Sequence, residues 1–174
     1  MKISILKIIF VSLIAFTIIV FFLALNTDKR YNTKKLVGKN VDNFEIKFLL
    51  NDKVLKKKDL INNKYHLINI WASWCLPCKK EHPILINLGE ENNLKLIGIN
   101  FKDKKLNAKN FLKEMGNPYD ISLIDNDGTN SIIFGVYGVP ESILIDKQHK
   151  ILRKFIGPLN SKDYNDILKL VNEK

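Results

Sequence analysis

Cys75 and Cys78 are the only cysteines in this 174-residue chain, and Leu76-Pro77 is all that separates them. Two thiols at this spacing can close a disulfide and reopen it, moving two electrons each time. The run ahead of them, His66 to Ala72, is apolar and branched, as a buried strand is. The run behind them, Lys79 to Leu88, reads as a helix. The first turn of a helix holds N–H groups without intrahelical partners, carrying about half a positive charge between them. A thiolate at Cys75 is stabilised there, and the thiolate is the nucleophile of disulfide exchange. The expectation is Cys75 on an exposed helical lip, with Cys78 one turn inside and able to attack a mixed disulfide formed at Cys75. Pro77 fits because the first helical positions need no N–H donor.

Three other chemistries compete for the pair. A structural zinc site takes four ligands, whereas His66, His82 and His149 are scattered without ligand spacing. Covalent haem attachment needs CxxCH, and residue 79 is Lys. A purely structural disulfide would close a very small loop and stabilise little. Redox exchange is the favoured reading, with the Cys75–Cys78 disulfide itself as the redox group, no dissociable cofactor and no metal.

The dithiol must be carried by a folded domain, and the first thirty residues are not part of it. Residues 8–25 contain no charge and are almost wholly apolar. As a helix they span about 27 Å, against a hydrocarbon core of about 30 Å. Met1-Lys2 and Lys7 form a short basic lead, and the exit Phe22-Leu-Ala-Leu-Asn26 is a poor cleavage site. The sequence expects an uncleaved anchor over 1–27, a polar tether over 28–35, and one folded domain over 36–174. Lys29, Arg30, Lys34 and Lys35 follow the span, so the positive-inside rule alone does not put the N-terminus in the cytoplasm. It is placed there because translocated domains follow largely regardless of their own charge.

The formal net charge is +10, which raises the question of nucleic acid or anionic lipid. The basic residues are nearly all Lys, spread along the chain, with no aromatic-basic interleaving. They read as a solubilising surface, Lys56-Lys57-Lys58 as a solvated loop, and a nucleic-acid role is not expected.

Strands are expected over Phe44–Leu50, His66–Ala72, Leu94–Phe101 and Ile121–Ile124, with Asn51-Asp52-Lys53 and Asp127-Gly128 as turns. Pro83 should kink the helix after the dithiol. Ala108, Phe111, Leu112 and Met115 recur at helical spacing and read as core, before Gly116-Asn117-Pro118 ends that helix. A short helical stretch is expected around Ser131–Val136, then a hairpin of Ser142–Ile145 and Lys150–Ile156. A last helix carries Tyr164, Ile167, Leu168 and Val171 inward, with Ser161 as its N-cap. Alternating strands and helices followed by a hairpin predict an α/β mixed sheet with helices on both faces.

This order resembles the thioredoxin fold over residues 36 to 174. Ile70-Trp-Ala-Ser-Trp-Cys-Leu-Pro-Cys78 is similar to that family's active-site strand and turn. Val139-Pro140 is similar to its cis-proline loop. A narrower resemblance joins Trp71–Pro83, Gly98-Ile-Asn-Phe-Lys102, Gly116-Asn-Pro-Tyr119 and Gly135-Val-Tyr-Gly-Val-Pro-Glu141. Together they resemble the membrane-anchored thiol:disulfide interchange proteins of cytochrome c maturation (the DsbE/CcmG type).

The resemblance carries implications for location, activity and site residues. The chain would be a single-pass protein of the bacterial inner membrane with its domain in the periplasm. It would take electrons from a transmembrane dithiol donor and reduce the CxxCH disulfides of apocytochrome c; the sequence leaves oligomeric state open, with monomer as the default. Cys75 would attack and Cys78 resolve. Glu81 and Glu141 match the family's acidic residues near the dithiol, where a carboxylate disfavours the thiolate and makes the couple more reducing. Asn69 stands where general thioredoxins place a buried Asp near the resolving thiol. An amide cannot take that proton, so the relay would pass to Glu81, Glu141 or water. Asn40 and Asp42 stand where relatives often carry prolines. Trp74 is expected to shield the dithiol and offer a contact surface, Trp71 to be core, Tyr137 to border the groove, Val139 to offer backbone hydrogen bonds to an extended substrate, and His82 to lie on the helix surface. A broader periplasmic reductase or oxidant of the same fold, and a thioredoxin-like module that binds without turnover, are the alternatives.

Overall fold

The computed structural model describes residues 5–26, 36–60 and 64–172. It divides into two compact units, one carrying the first helix and the other carrying everything from residue 36 on. In the first unit α1 (Ile5–Asn26) is apolar all round. By length and composition it is able to cross a membrane, and none of its apolar window is buried. The expected tether, 28–35, lies outside the described residues.

The second unit holds β1 (Glu45–Phe48), β2 (Val54–Lys56), β3 (Tyr65–Trp71), α2 (Leu76–Gly89), β4 (Leu94–Phe101), α3 (Lys105–Met115), β5 (Ile121–Asp125), α4 (Thr129–Ile133), β6 (Glu141–Ile145), β7 (Ile151–Ile156) and α5 (Ser161–Asn172). The strands form one sheet in the order β2-β1-β5-β4-β3-β6-β7. The β3–β4 and β4–β5 pairs are parallel, and the outer pairs are antiparallel. This is the expected mixed α/β sheet.

Central strands buried on both faces must be apolar throughout, and from His66 to Trp71 every residue of β3 is buried. Alternation divides them. Leu67 and Trp71 pack with Leu85 and Leu88 of α2, Phe111 of α3 and Ile167 and Val171 of α5. Ile68 and Ile70 pack on the other face with Phe44, Phe134 and Val136. Asn69 falls by the same alternation on the α2 side.

Several details depart from the sequence expectations. Val54–Lys56 pairs with β1 as a hairpin strand, and Lys57–Asp59 is a single 3-10 turn in which the Lys57 ammonium reaches Val41 O; the three lysines are structured because Leu55 is buried. The short helix begins earlier than expected, at Thr129, because Asp125 and Asp127 accept the N–H groups of its first turn. Met115 is exposed, since α3 ends there and turns away at Gly116, whose φ is +87°. Asn160, not Ser161, caps α5: its Oδ1 accepts from the N–H groups of Lys162 and Asp163, and Asp163 accepts from Asn160 N in return.

Candidate active site

β3 ends at Trp71, and α2 starts five residues later at Leu76. Cys75 is the N-cap of α2, and its Sγ accepts the backbone N–H of Cys78 at 3.1 Å. Pro77 sits in the first turn, where its missing N–H costs nothing. Cys75 and Cys78 are joined by a disulfide, with Cα atoms 5.3 Å apart. The position therefore supplies an N–H donor and the positive end of a helix to the sulfur at Cys75.

Cys75 is only 3% exposed, and Cys78 2%. The Cys75 side chain is thus not on an open lip; it lies in the wall of the core cluster that contains Leu85, Trp71 and Ala72. The exposed groups beside it are Trp74, at 59%, and Leu76, at 64%. Trp74 is held by its indole N–H, which donates to Lys102 O at 3.1 Å. One residue earlier, Ser73 N donates to Asp103 Oδ2 at 2.7 Å. The loop after β4 thereby brackets the segment entering the dithiol, a part of the site that sequence reasoning missed. Phe101-Lys102-Asp103 carried the only signal, a polar pair directly after a buried strand. Trp71 is core as expected, stacked on Tyr119 at 5.8 Å.

The antiparallel β3–β6 pairing puts Glu141 opposite Ile70, so the loop entering β6 lies at the same end of the sheet as the dithiol. The Val139–Pro140 bond in that loop is cis. Val139 is half-buried and packs against both core clusters, while Tyr137 is exposed. Glu141 is buried. Its Oε1 accepts the N–H groups of Tyr137 and Gly138 at 3.1 and 3.3 Å, and its Oε2 lies 2.8 Å from the Lys154 ammonium.

Glu81 is the other buried carboxylate, 1% exposed and three residues beyond Cys78 on the same helix face. Its Oε1 accepts from Asn69 Nδ2 at 2.9 Å and its Oε2 from Leu159 N at 2.7 Å. Asn69 also donates to Ser142 Oγ at 2.9 Å and accepts from the Tyr119 hydroxyl at 2.8 Å. Asn69 is thus satisfied by side chains. Burial pushes Glu81 up to about 7, against the two hydrogen bonds that favour its charge. Tyr119 is raised well above its ordinary value by burial and by Glu81. A carboxylate raised toward neutrality by burial, three residues from Cys78 along the helix, is a candidate acceptor for that thiol's proton in the reduced protein.

His82, expected on the helix surface, is buried. Its Nε2 lies 2.9 Å from Gly116 O and its ring meets Phe111 edge-on, because the Gly116–Tyr119 segment folds back over α2. Burial holds its imidazole below the usual range. Among the described residues, no group of three or more His, Cys, Asp or Glu is placed to hold a metal ion.

Residues 36–168 match the Redoxin family. A thiol:disulfide interchange protein DsbE of Tatumella citrea is 42% identical over 132 residues, covering 75% of this chain and 71% of that protein. A DsbE of Vibrio cholerae is 34% identical over 175 residues, covering 97% and 95%. Among solved structures, a secreted thiol-disulfide isomerase from Corynebacterium glutamicum superposes with a TM-score of 0.68 at 27% identity, covering 76% of this chain and 86% of that one.

Proposed function

This chain belongs to the Redoxin family as a DsbE-type thiol:disulfide oxidoreductase, and from that premise we propose that Cys75 and Cys78 reduce the CxxCH disulfides of apocytochrome c. The observation that carries the reading is the Cys75 sulfur at the N-cap of α2, receiving the Cys78 N–H, with the buried Glu81 carboxylate one turn further on.

In the reduced protein the Cys75 thiolate attacks one sulfur of the substrate disulfide. That S–S bond breaks, and the departing sulfur leaves as a thiolate and is protonated. Cys78 then passes its proton to Glu81 and attacks Cys75 Sγ. The mixed disulfide breaks, the second substrate sulfur leaves as a thiolate and takes up the proton held by Glu81, and the protein keeps both oxidising equivalents as the Cys75–Cys78 disulfide. A transmembrane dithiol donor returns two electrons and two protons. The protein's own sulfurs carry the electrons, and no dissociable cofactor enters.

Trp74, Pro77, Val139 and Pro140 frame the approach: Trp74 and Tyr137 offer exposed aromatic surface, and the Val139 backbone offers an extended chain its hydrogen bonds. Glu141 shapes the loop that presents Val139. Residues 8–25 anchor the chain in the inner membrane, 28–35 tether it, and the 36–174 domain works in the periplasm as a monomer. The apolar helix α1 supports the anchor.

The test is the Cys78→Ser variant, which leaves Cys75 able to attack but unable to be released. Trapped chains bearing CxxCH support this reading. A diverse set of trapped chains replaces it with a broader reductase. Partner binding without any covalent adduct replaces it with a binding module. Equilibration with glutathione gives the direction of electron flow, and a strongly oxidising potential removes the reductant assignment. Protease protection in sealed vesicles reads the orientation.

A further inference from the structure

We propose that Lys154 is a positioning residue for the substrate-facing loop 134–140, acting through Glu141. The inference rests on the reading of Cys75 and Cys78 as the exchange centre. It adds a residue on the edge strand β7 that no motif of the dithiol or the proline loop includes.

Lys154 pairs with Ile143 across β6–β7, and its side chain turns into the domain, with 1% of its surface exposed. A lysine is almost never buried to this extent without partners. Its ammonium has three. It donates to Gly135 O, lies 3.5 Å from Phe134 O, and stands 2.8 Å from Glu141 Oε2. The Oε2 contact is one of charge, since that oxygen receives no well-directed hydrogen bond. Glu141 Oε1 in turn accepts from Tyr137 N and Gly138 N. The ammonium therefore holds the carbonyls where the loop begins, and the carboxylate holds the amides just before Val139-Pro140. One buried charge pair ties both halves of the loop to the sheet.

This arrangement also separates the two buried carboxylates by task. The Glu141 charge is matched by Lys154 inside the protein. Glu81 has only neutral donors, Asn69 and the Leu159 backbone, and no ion pair reaches it among the described residues. Lys154 thus acts on where Tyr137, Val139 and Pro140 stand, and the thiol chemistry is left to Glu81 and the helix end.

The test compares the full chain with Lys154→Met, Lys154→Arg and the double variant Lys154→Met/Glu141→Gln, which removes both charges and so leaves no lone charge buried. Three quantities are read: amide exchange at Tyr137 and Gly138 against amides of β3, the rate of reduction of a CxxCH peptide disulfide, and the alkylation rate of Cys75 by iodoacetamide across pH. Loss of the ammonium should speed exchange at Tyr137 and Gly138 by about ten-fold relative to β3, as loss of one or two hydrogen bonds does. Peptide reduction should slow by a similar factor in Lys154→Met and in the double variant, recover in Lys154→Arg, and leave Cys75 alkylation within about two-fold of wild type. Unchanged amide exchange overturns the proposal. So does a loss of alkylation in proportion to peptide reduction, which would place the effect on the thiol itself. If the wild-type domain fails to reduce the peptide, the proposed substrate is wrong, and the amide-exchange comparison still decides the role of Lys154.

Discussion

The Glu81 carboxylate meets the Asn69 amide at 2.9 Å, between the strand that enters the dithiol and the helix that leaves it. The amide is oriented from behind by the Tyr119 hydroxyl, which donates to its oxygen and so turns its NH2 toward Glu81 and Ser142. An Asp at residue 69 would place a second carboxylate against Glu81. With Asn there, the buried site contains one acid, supported by neutral donors and poised near neutrality.

Glu81→Gln therefore removes the proposed proton acceptor of the resolving step while keeping the shape. At neutral pH the release of substrate from the mixed disulfide should slow by about 10²-fold, the low end of general-base contributions. The initial attack by Cys75 should change far less. Stopped-flow measurement of the two phases across pH checks this. The wild-type resolving rate should show an inflection near 7 that the variant lacks, and an inflection that survives the substitution assigns it to another group.

Glu81 and His66 make opposing contributions to stability. Glu81 is raised from 4.5 to about 7, so its contribution is present below pH 4.5 and is lost as pH rises toward 7. His66, buried at 1% exposure, is lowered from 6.5 to about 4, so its contribution is present above pH 6.5 and is lost as pH falls toward 4. Burial is the largest cause of both shifts. Each is worth about 3 kcal/mol in order of magnitude across its window, so between pH 4.5 and 6.5 they nearly cancel. His82 and His149, also held down by burial, add to the acid-side loss. Urea unfolding of the oxidised protein should show a shallow pH dependence in wild type. Glu81→Gln should turn this into a clear fall on acidification, and His66→Leu into a rise. Parallel curves in all three proteins would contradict the cancellation.

Most of the sheet and the dithiol were legible because they depend on local pattern. The apolar run ending at Trp71 had to be a central strand, and the CxxC after it had to open a helix. The Val54–Lys56 strand was hidden because lysines follow it and only Leu55 points inward. His82 was misplaced because a helix position was judged without the Gly116–Tyr119 segment that covers it. Glu81 and Tyr119 lie 12 and 50 residues from Asn69 along the chain. Sheet register together with the packing of α2 and the Gly116–Tyr119 segment on the sheet brings them together. Lys154 looked like one surface lysine among many, and nothing in its neighbours' types distinguishes it.

Gly98 shows how closely that register is specified. It stands opposite Asn69 in β3–β4, and a Cβ there would come within 2.6 Å of the Tyr119 ring. The ring is also stacked on Trp71 and tied by its hydroxyl to Asn69, so it cannot move aside freely. Gly98→Ala should destabilise the domain by about 1–3 kcal/mol, the usual cost of overpacking. It should also slow the resolving step, because displacing Tyr119 frees the Asn69 amide to turn. Tyr119→Phe keeps the ring and should reproduce the kinetic effect with a smaller loss of stability. Equal stability loss with unchanged kinetics in both variants would separate Tyr119 from Glu81.

Asp103 offers the corresponding test on the solvent side of the dithiol. Its Oδ2 accepts from Ser73 N and from Asn100 Nδ2 at 2.7 and 3.0 Å, and its Oδ1 accepts from Lys104 N. The neighbouring Lys102, at φ +44°, aims its carbonyl at the Trp74 indole. Asp103→Ala leaves the half-buried Ser73 N–H without its acceptor, at a cost of about 1–3 kcal/mol. It also loosens the carbonyl that Trp74 relies on. Trp71 is buried and stacked, so a change in indole emission confined to Trp74 can be isolated by repeating the measurement in Trp74→Phe. The emission should shift toward that of a free, solvated indole, and peptide reduction should slow more than alkylation of Cys75, because the contact surface is disturbed and the sulfur's N–H donor from Cys78 is not.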